Sequence, residues 1–138
     1  MFSDEQKIIQ LLDNFTANDY GDFLVNNATN DFLFIRPSGN PIDAVGFIEM
    51  RTSGAVLDGY SDVIKIRKLE FLAIDVAICV FTLRSSFVYK GIQNSDLATV
   101  TVILKKIKNQ WKFSWMHRSS GNSDLSIWDL YSNKLQKD

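Results

Sequence analysis

The residues of this chain that could do chemistry are few, and the leading ones stand near its C-terminal end. The only histidine, His117, lies in the segment WKFSWMHRS, Trp111 to Ser119, which also carries two of the three tryptophans. Histidine is the side chain that changes charge near neutral pH, so a partly buried imidazole can serve as a proton donor or acceptor. Read as a strand, the segment has a period of two. That puts Trp111, Phe113, Trp115 and His117 on one face and Lys112, Ser114, Met116 and Arg118 on the other. The expected face is a wall of rings ending in an imidazole, which suits either a core or the lining of a pocket. Acid or base work by His117 would need a carboxylate such as Asp96 or Asp31 to orient it; the competing reading is a histidine hydrogen-bonded in the core.

Arg36 is the second candidate. It follows the apolar run DFLFI and precedes PSGNP, Pro37 to Pro41, which holds both prolines of the chain and reads as a turn. A guanidinium there could bind a carboxylate or phosphate at the mouth of a cavity. An ion pair with Asp43 or Glu49 is equally economical. Tyr20, Phe23, Phe32, Phe34 and Trp115 would line an apolar cavity, or fill a core. Arg84, beyond the apolar half of a long strand, suits solvent or a subunit interface better than a pocket. Cys79 sits inside AIDVAICVFTL and packs as a small hydrophobe in preference to acting as a nucleophile.

No metal site is expected, because one histidine, one cysteine and scattered carboxylates offer no ligand pair with a third partner. There is no glycine-rich phosphate loop, nucleophile elbow or dinucleotide fingerprint, so no cofactor is expected either. With 15 basic and 16 acidic residues the net charge is −1, and nothing in that balance recruits nucleic acid or an anionic membrane. Lys105, Lys106 and Lys108 read as a solvated strand edge. No apolar run approaches a membrane span and no leader-like segment opens the chain, so the expectation is a cytoplasmic protein.

The elements that must position these residues follow from periodicity. With 138 residues, 46% of them hydrophobic, the chain suits one domain able to bury its own core. Residues 4 to 18 predict a helix with Ile8, Ile9, Leu11, Leu12 and Phe15 on its apolar face, Ser3 as N-cap and Gln6 in the capping-box position. A short second helix follows from Gly21 or Asp22 to about Ala28. Asp31 to Arg36 predicts a strand apolar on both faces, and Asp43 can cap a third helix, about Ala44 to Thr52, that Gly54 ends. Val63 to Leu72, Val76 to Tyr89, Ala98 to Lys108 and Trp111 to Arg118 then predict four long strands. Their short connections, among them Lys90 to Ser95, imply an antiparallel meander. Ser123 to Lys134 can form a terminal amphipathic helix. The class is α+β.

This order resembles the nuclear transport factor 2-like superfamily, which includes SnoaL-like proteins and ketosteroid isomerases. TANDYGDF (Thr16 to Phe23) resembles the family's corner between its first two helices, NDFLFIRPSGNP (Asn30 to Pro41) its first strand and loop, and WKFSWMHRSSG (Trp111 to Gly121) its closing strand. The resemblance covers about residues 4 to 121, leaving 122 to 138 as an extension of the same single domain. It implies a cystatin-like cone, three N-terminal helices on a strongly curved, mainly antiparallel sheet, and a homodimer paired through that sheet. The isomerase constellation is not carried over. Arg36 falls where the general base would stand, and roughly Leu11 and Val102 fall at the two oxyanion positions; an arginine cannot accept a proton from carbon.

Three functional readings follow. The first is a homodimer whose pockets bind a small, mostly apolar ligand that can carry an acid, with Arg36 anchoring it and His117 polarising it. The second is a non-catalytic dimerisation or protein-interaction module with a filled core. The third is an isomerase-, dehydratase- or cyclase-type enzyme using His117. The first two separate on the volume behind Trp115 and His117, where several hundred cubic ångströms would suit a ligand.

Overall fold

The helix that opens the chain is fixed by its cap. In the computed structural model, which describes residues 2–17, 21–53 and 56–121, the Ser3 hydroxyl accepts from the Gln6 backbone N–H at 3.1 Å while the Gln6 side chain accepts from the Ser3 N–H at 2.9 Å. This capping box satisfies two of the otherwise unpaired N-terminal donors of α1, Asp4–Ala17. The helix lays Ile8, Leu11 and Leu12, all buried, against the sheet. α2, Gly21–Asn27, leads directly into β1, Ala28–Ile35, and the turn after it returns as a three-residue strand, β2, Pro41–Asp43. That strand is absent from the sequence reading, since three residues beginning with proline carry no periodicity. Proline is tolerated there because β2 lies at the sheet edge. Asp43 caps α3, Ala44–Thr52, accepting from the Gly46 N–H at 2.8 Å.

The remaining strands are β3, Val56–Ala73, β4, Val76–Tyr89, β5, Ile92–Ile107, and β6, Gln110–Ser120. They form one six-stranded sheet in the order β2-β1-β6-β5-β4-β3. Every neighbouring pair is antiparallel except β1 with β6, which is parallel. The expected loop at Lys90–Ser95 is shorter than the sequence suggests. Lys90 and Gly91 both take positive φ, at 50° and 80°, and close the hairpin in two residues. Ile92 to Leu97 therefore extend β5, which is how Asp96 comes to lie in the sheet. β3 begins earlier than expected for the same reason, pairing from Val56 with Tyr89. The proposed ending of α3 at Gly54 and the C-terminal helix lie outside the described residues.

The sheet has one buried and one half-exposed face. On β4, Ala77, Cys79, Phe81 and Leu83 are buried and register with Leu104, Val102, Val100 and Ala98 of β5, also buried. They meet Ile8, Leu12, Leu24 and Phe32 in one core. The intervening Ile78, Val80, Thr101 and Ile103 are only partly covered and face the other way. The result is an α+β fold whose helices cover the inner face of a mixed sheet.

On β6 the period of two breaks. Leu104 pairs with Phe113 and Ile103 with Trp115, so Ser114 is an extra residue opposite one bond of β5, a β-bulge. Trp111 and Phe113 face inward, with the Phe113 ring 5.2 Å from that of Phe15. After the bulge the inward residues are Met116, Arg118 and Ser120, which register with Val102, Val100 and Ala98. Trp115 and His117 turn to the outer face instead. The expectation that Trp111, Phe113, Trp115 and His117 share one face is thereby corrected, since a single inserted residue exchanges the two faces of everything after it.

Candidate functional site

Arg118 is the residue that the bulge delivers to the inner face, at the end of the sheet where β4 and β5 meet their turn. One of its terminal nitrogens, Nη2, donates to the Ser85 hydroxyl at 2.6 Å and to Asp96 Oδ2 at 2.9 Å. The Ser120 hydroxyl donates to the same Asp96 oxygen at 2.9 Å. Ser85 is almost fully buried and faces Asp96 directly across the β4–β5 pair. A charge-assisted network of this kind holds its members in one geometry.

Arg36 stands beside it. β1 and β6 run parallel with Ile35 opposite His117, so Arg36 and Arg118 each lie one residue further on, side by side at neighbouring strand ends. The Arg36 Nε donates to the Asn40 carbonyl oxygen at 3.0 Å, which holds its side chain against the β1–β2 turn. Gly39, at φ 88°, shapes that turn and donates its N–H to the Arg36 carbonyl oxygen at 2.8 Å. Neither Asp43 nor Glu49 forms an ion pair with Arg36 among the described residues.

Both arginines line a cleft of about 480 Å³. Its apolar wall is Phe34, Met50, Phe87 and Tyr89, and its polar side includes Asp96, Ser61, Ser85 and Ser120. The volume is within the range of small-molecule sites. The interior behind it is another matter, because the space among Phe15, Phe47, Leu83, Val100 and Met116 amounts to about 30 Å³, room for little more than a water. Among the described residues this inner space is nearly filled, and the ligand-sized space lies at its mouth.

The residues singled out from sequence divide accordingly. Arg36 and Phe34 line the cleft. Phe32 is buried in the core, and Phe23 packs against it with its ring 6.2 Å from Phe15. Trp115 and His117 stack edge to face at 5.7 Å on the outer side of the sheet, away from the cleft. Tyr20 lies outside the described residues. Neither carboxylate considered for His117 is engaged with it. Asp96 holds Arg118, and Asp31 accepts from the Thr29 hydroxyl at 2.6 Å, a bond that keeps its carboxyl below the usual range. Cys79 is buried, which pushes its thiol up to about 11. Arg84 is exposed on the outer face.

Sequence reasoning missed Arg118, Ser85 and Ser120, and it weighed Asp96 only as a partner for His117. A strict strand alternation assigns Arg118 to the face opposite the buried rings, and nothing in WKFSWMHRS marks the bulge. Among the described residues no group of three metal-ligating side chains occurs, and no helix is long and apolar enough to cross a membrane.

Residues 3–129 match the model of a family described as a protein of unknown function, DUF3804. No curated protein matches the chain. Among solved structures, the chain is 52% identical to an NTF2-like protein of unknown function from Prochlorococcus marinus, over 92% of this chain and 100% of that one, with a TM-score of 0.82. Two more distant structures share the fold at 13% identity. One is a putative calcium/calmodulin-dependent kinase II association domain from Exiguobacterium sibiricum, covering 90% of this chain and 98% of that one at a TM-score of 0.77. The other is a hexachlorocyclohexane dehydrochlorinase, covering 86% and 85% at a TM-score of 0.72.

Proposed function

The chain belongs to DUF3804, a family of unknown function, and to the NTF2-like proteins, and on that premise we propose that it binds a small organic acid in the cleft at the mouth of its cone. The observation that carries the reading is the pairing of Arg36 with Arg118 on neighbouring strand ends, with Asp96 as the only carboxylate among the described lining residues. Two guanidiniums against one carboxylate leave an excess positive charge in a confined space, where opposite charge is favoured more than in open water. Arg118 is already engaged by Asp96 and Ser85, so Arg36 is the anchor, and its planar fork matches a carboxylate or phosphate. Phe34, Met50, Phe87 and Tyr89 receive the apolar part of the ligand. His117 plays no part, since it faces away.

The experiment is native mass spectrometry of protein purified gently from its host. Binding predicts a stoichiometric extra mass that is an organic acid, retained by the native chain and lost from Arg36→Ala; an extra mass that survives the substitution would refute Arg36 as the anchor.

A second reading concerns the outer face, and one observation favours it. Ile78, Val80, Ile103 and Trp115 lie together across β4, β5 and β6 in register, partly uncovered, with Leu33 of β1 exposed beside Trp115. A contiguous apolar sheet face suits pairing with a second copy, which would also cover His117. The two readings are compatible, because one uses the inner face and the other the outer. Sedimentation velocity checks it: a dimer in the native chain that becomes a monomer in Trp115→Lys supports the pairing, and a monomer in both rules it out.

A further inference from the structure

We infer that the ligand of this cleft is bifunctional, an acid at one end and a hydroxyl or ammonium donor at the other, with Asp96 receiving the donor; this rests on the reading of Arg36 as the acid's anchor. A diagonal set of polar side chains crosses the inner face toward the β4–β5 turn. Arg36 follows β1 level with Arg118 of β6; further toward the β4–β5 turn Ser120 ends β6, and beyond it Asp96 on β5 stands opposite Ser85 on β4, with Ser61 opposite Ser85 on β3. All of them line the same cleft. The set is not uniform. It is cationic at the β1 end, anionic in the middle and hydroxylic beyond.

Asp96 is only half used. Both of its donors, Arg118 and Ser120, converge on Oδ2, and no hydrogen bond reaches Oδ1 among the described residues. A carboxylate can accept about four hydrogen bonds, and the side chain is 21% exposed at the cleft. A ligand made of hydrocarbon beyond its acid would strip water from that oxygen and from the serine hydroxyls without replacing the lost bonds, which disfavours it. A ligand with a donor in the right place would satisfy them.

The spacing fixes where that donor must be. β1 and β5 are separated by one strand, about 10 Å at a strand spacing of about 4.8 Å, and Asp96 lies four residues along β5 from Val100, the register partner of Arg118, a further displacement of about 13 Å along the strands. Arg36 is held toward its own turn by Asn40, and no ion pair joins it to Asp96. An acid on Arg36 and a donor on Asp96 therefore belong to opposite ends of a short body, not to neighbouring carbons. The body lies over β6, against Phe34 and Met50.

The test compares three probes by isothermal titration calorimetry on the full chain: a straight-chain six-carbon acid, its ω-hydroxy derivative and its ω-amino derivative. The native protein is expected to bind one of the two derivatives at least about tenfold more tightly than the plain acid. In Asp96→Asn the order changes in a way that a merely structural role would not produce. Arg118 is released, so the plain acid binds more tightly than it does to the native protein, while the advantage of the derivative is lost. Equal binding of all three probes by the native protein would overturn the inference and leave the acid reading standing, and so would an Asp96→Asn protein weakened equally toward all three. If no acid bound, both would fall. The ranking by the native protein needs no variant to fold.

Discussion

Phe113 and Trp115 are two residues apart in one strand and face opposite sides of the sheet. The bulge at Ser114 lies between them, and it decides which of the later side chains the cleft receives. Deleting Ser114 would remove the extra residue and leave Phe113, Met116 and Arg118 inward and Trp115 and His117 outward in strict alternation, so the faces would be kept. The expected outcome is a small change, with the midpoint of thermal unfolding within roughly 5 °C of the native chain; a fall of roughly 10 °C or more would show that the bulge itself holds the strand. Ser114→Ala keeps the bulge and should change the midpoint as little. Near-UV circular dichroism on heating checks both.

The N-terminal helix is tied to the far end of the sheet by Asp4, which accepts from the Trp111 indole N–H at 3.0 Å and pairs with Lys106 at 3.0 Å. The indole bond and then the lysine hold its carboxyl below the usual range. A depressed folded value means that the contribution is present above the unfolded carboxylate value and disappears as pH falls through the folded one. Asp4→Asn should therefore be less stable than the native chain at neutral pH, and the difference should close in acid below both values. Urea unfolding at a series of pH values measures it; a gap that is the same at every pH would contradict the assignment.

Cys79 should be silent in the folded protein. It is fully covered between the sheet and the helices, and its thiol needs a pH near 11 to ionise, while the thiolate is the reactive form. An alkylating reagent at mildly alkaline pH should modify it only at the rate of unfolding, and completely in denaturant. Rapid modification of the native chain would show that the core around β4 opens more freely than its packing allows.

Much of the fold was legible because it was written in patterns that local physics enforces. Ser3 with Gln6, and Asp43 before Ala44, state the starts of α1 and α3 in capping chemistry, and both are found. The apolar alternation of Val76 to Tyr89 states β4 to the residue. The hairpin at Lys90 and Gly91 was less visible because the polar run after it, Gln93 to Asp96, looks like loop until its partners on β4 are known. The site suffered most. Arg36 could be picked out by its place between an apolar strand and a rigid turn. Arg118 could not, because its face depends on a bulge that has no composition of its own, and its neighbour is set by a parallel pairing between the first and last strands. The same bulge moved His117, the residue with the most suggestive chemistry, out of the cleft.

Anchoring of an acid by Arg36, beside Arg118, is the proposal on which the cleft's function rests. Arginine side-chain Nε–H resonances, assigned and followed by nuclear magnetic resonance during titration with the six-carbon acids, test it most directly, with exposed Arg84 on the outer face as the internal reference. Anchoring at Arg36 should give a saturable shift there, a smaller one at Arg118 as its network with Asp96 and Ser85 adjusts, and none at Arg84. Shifts that are linear and alike at Arg36 and Arg84, or absent at both, would contradict it.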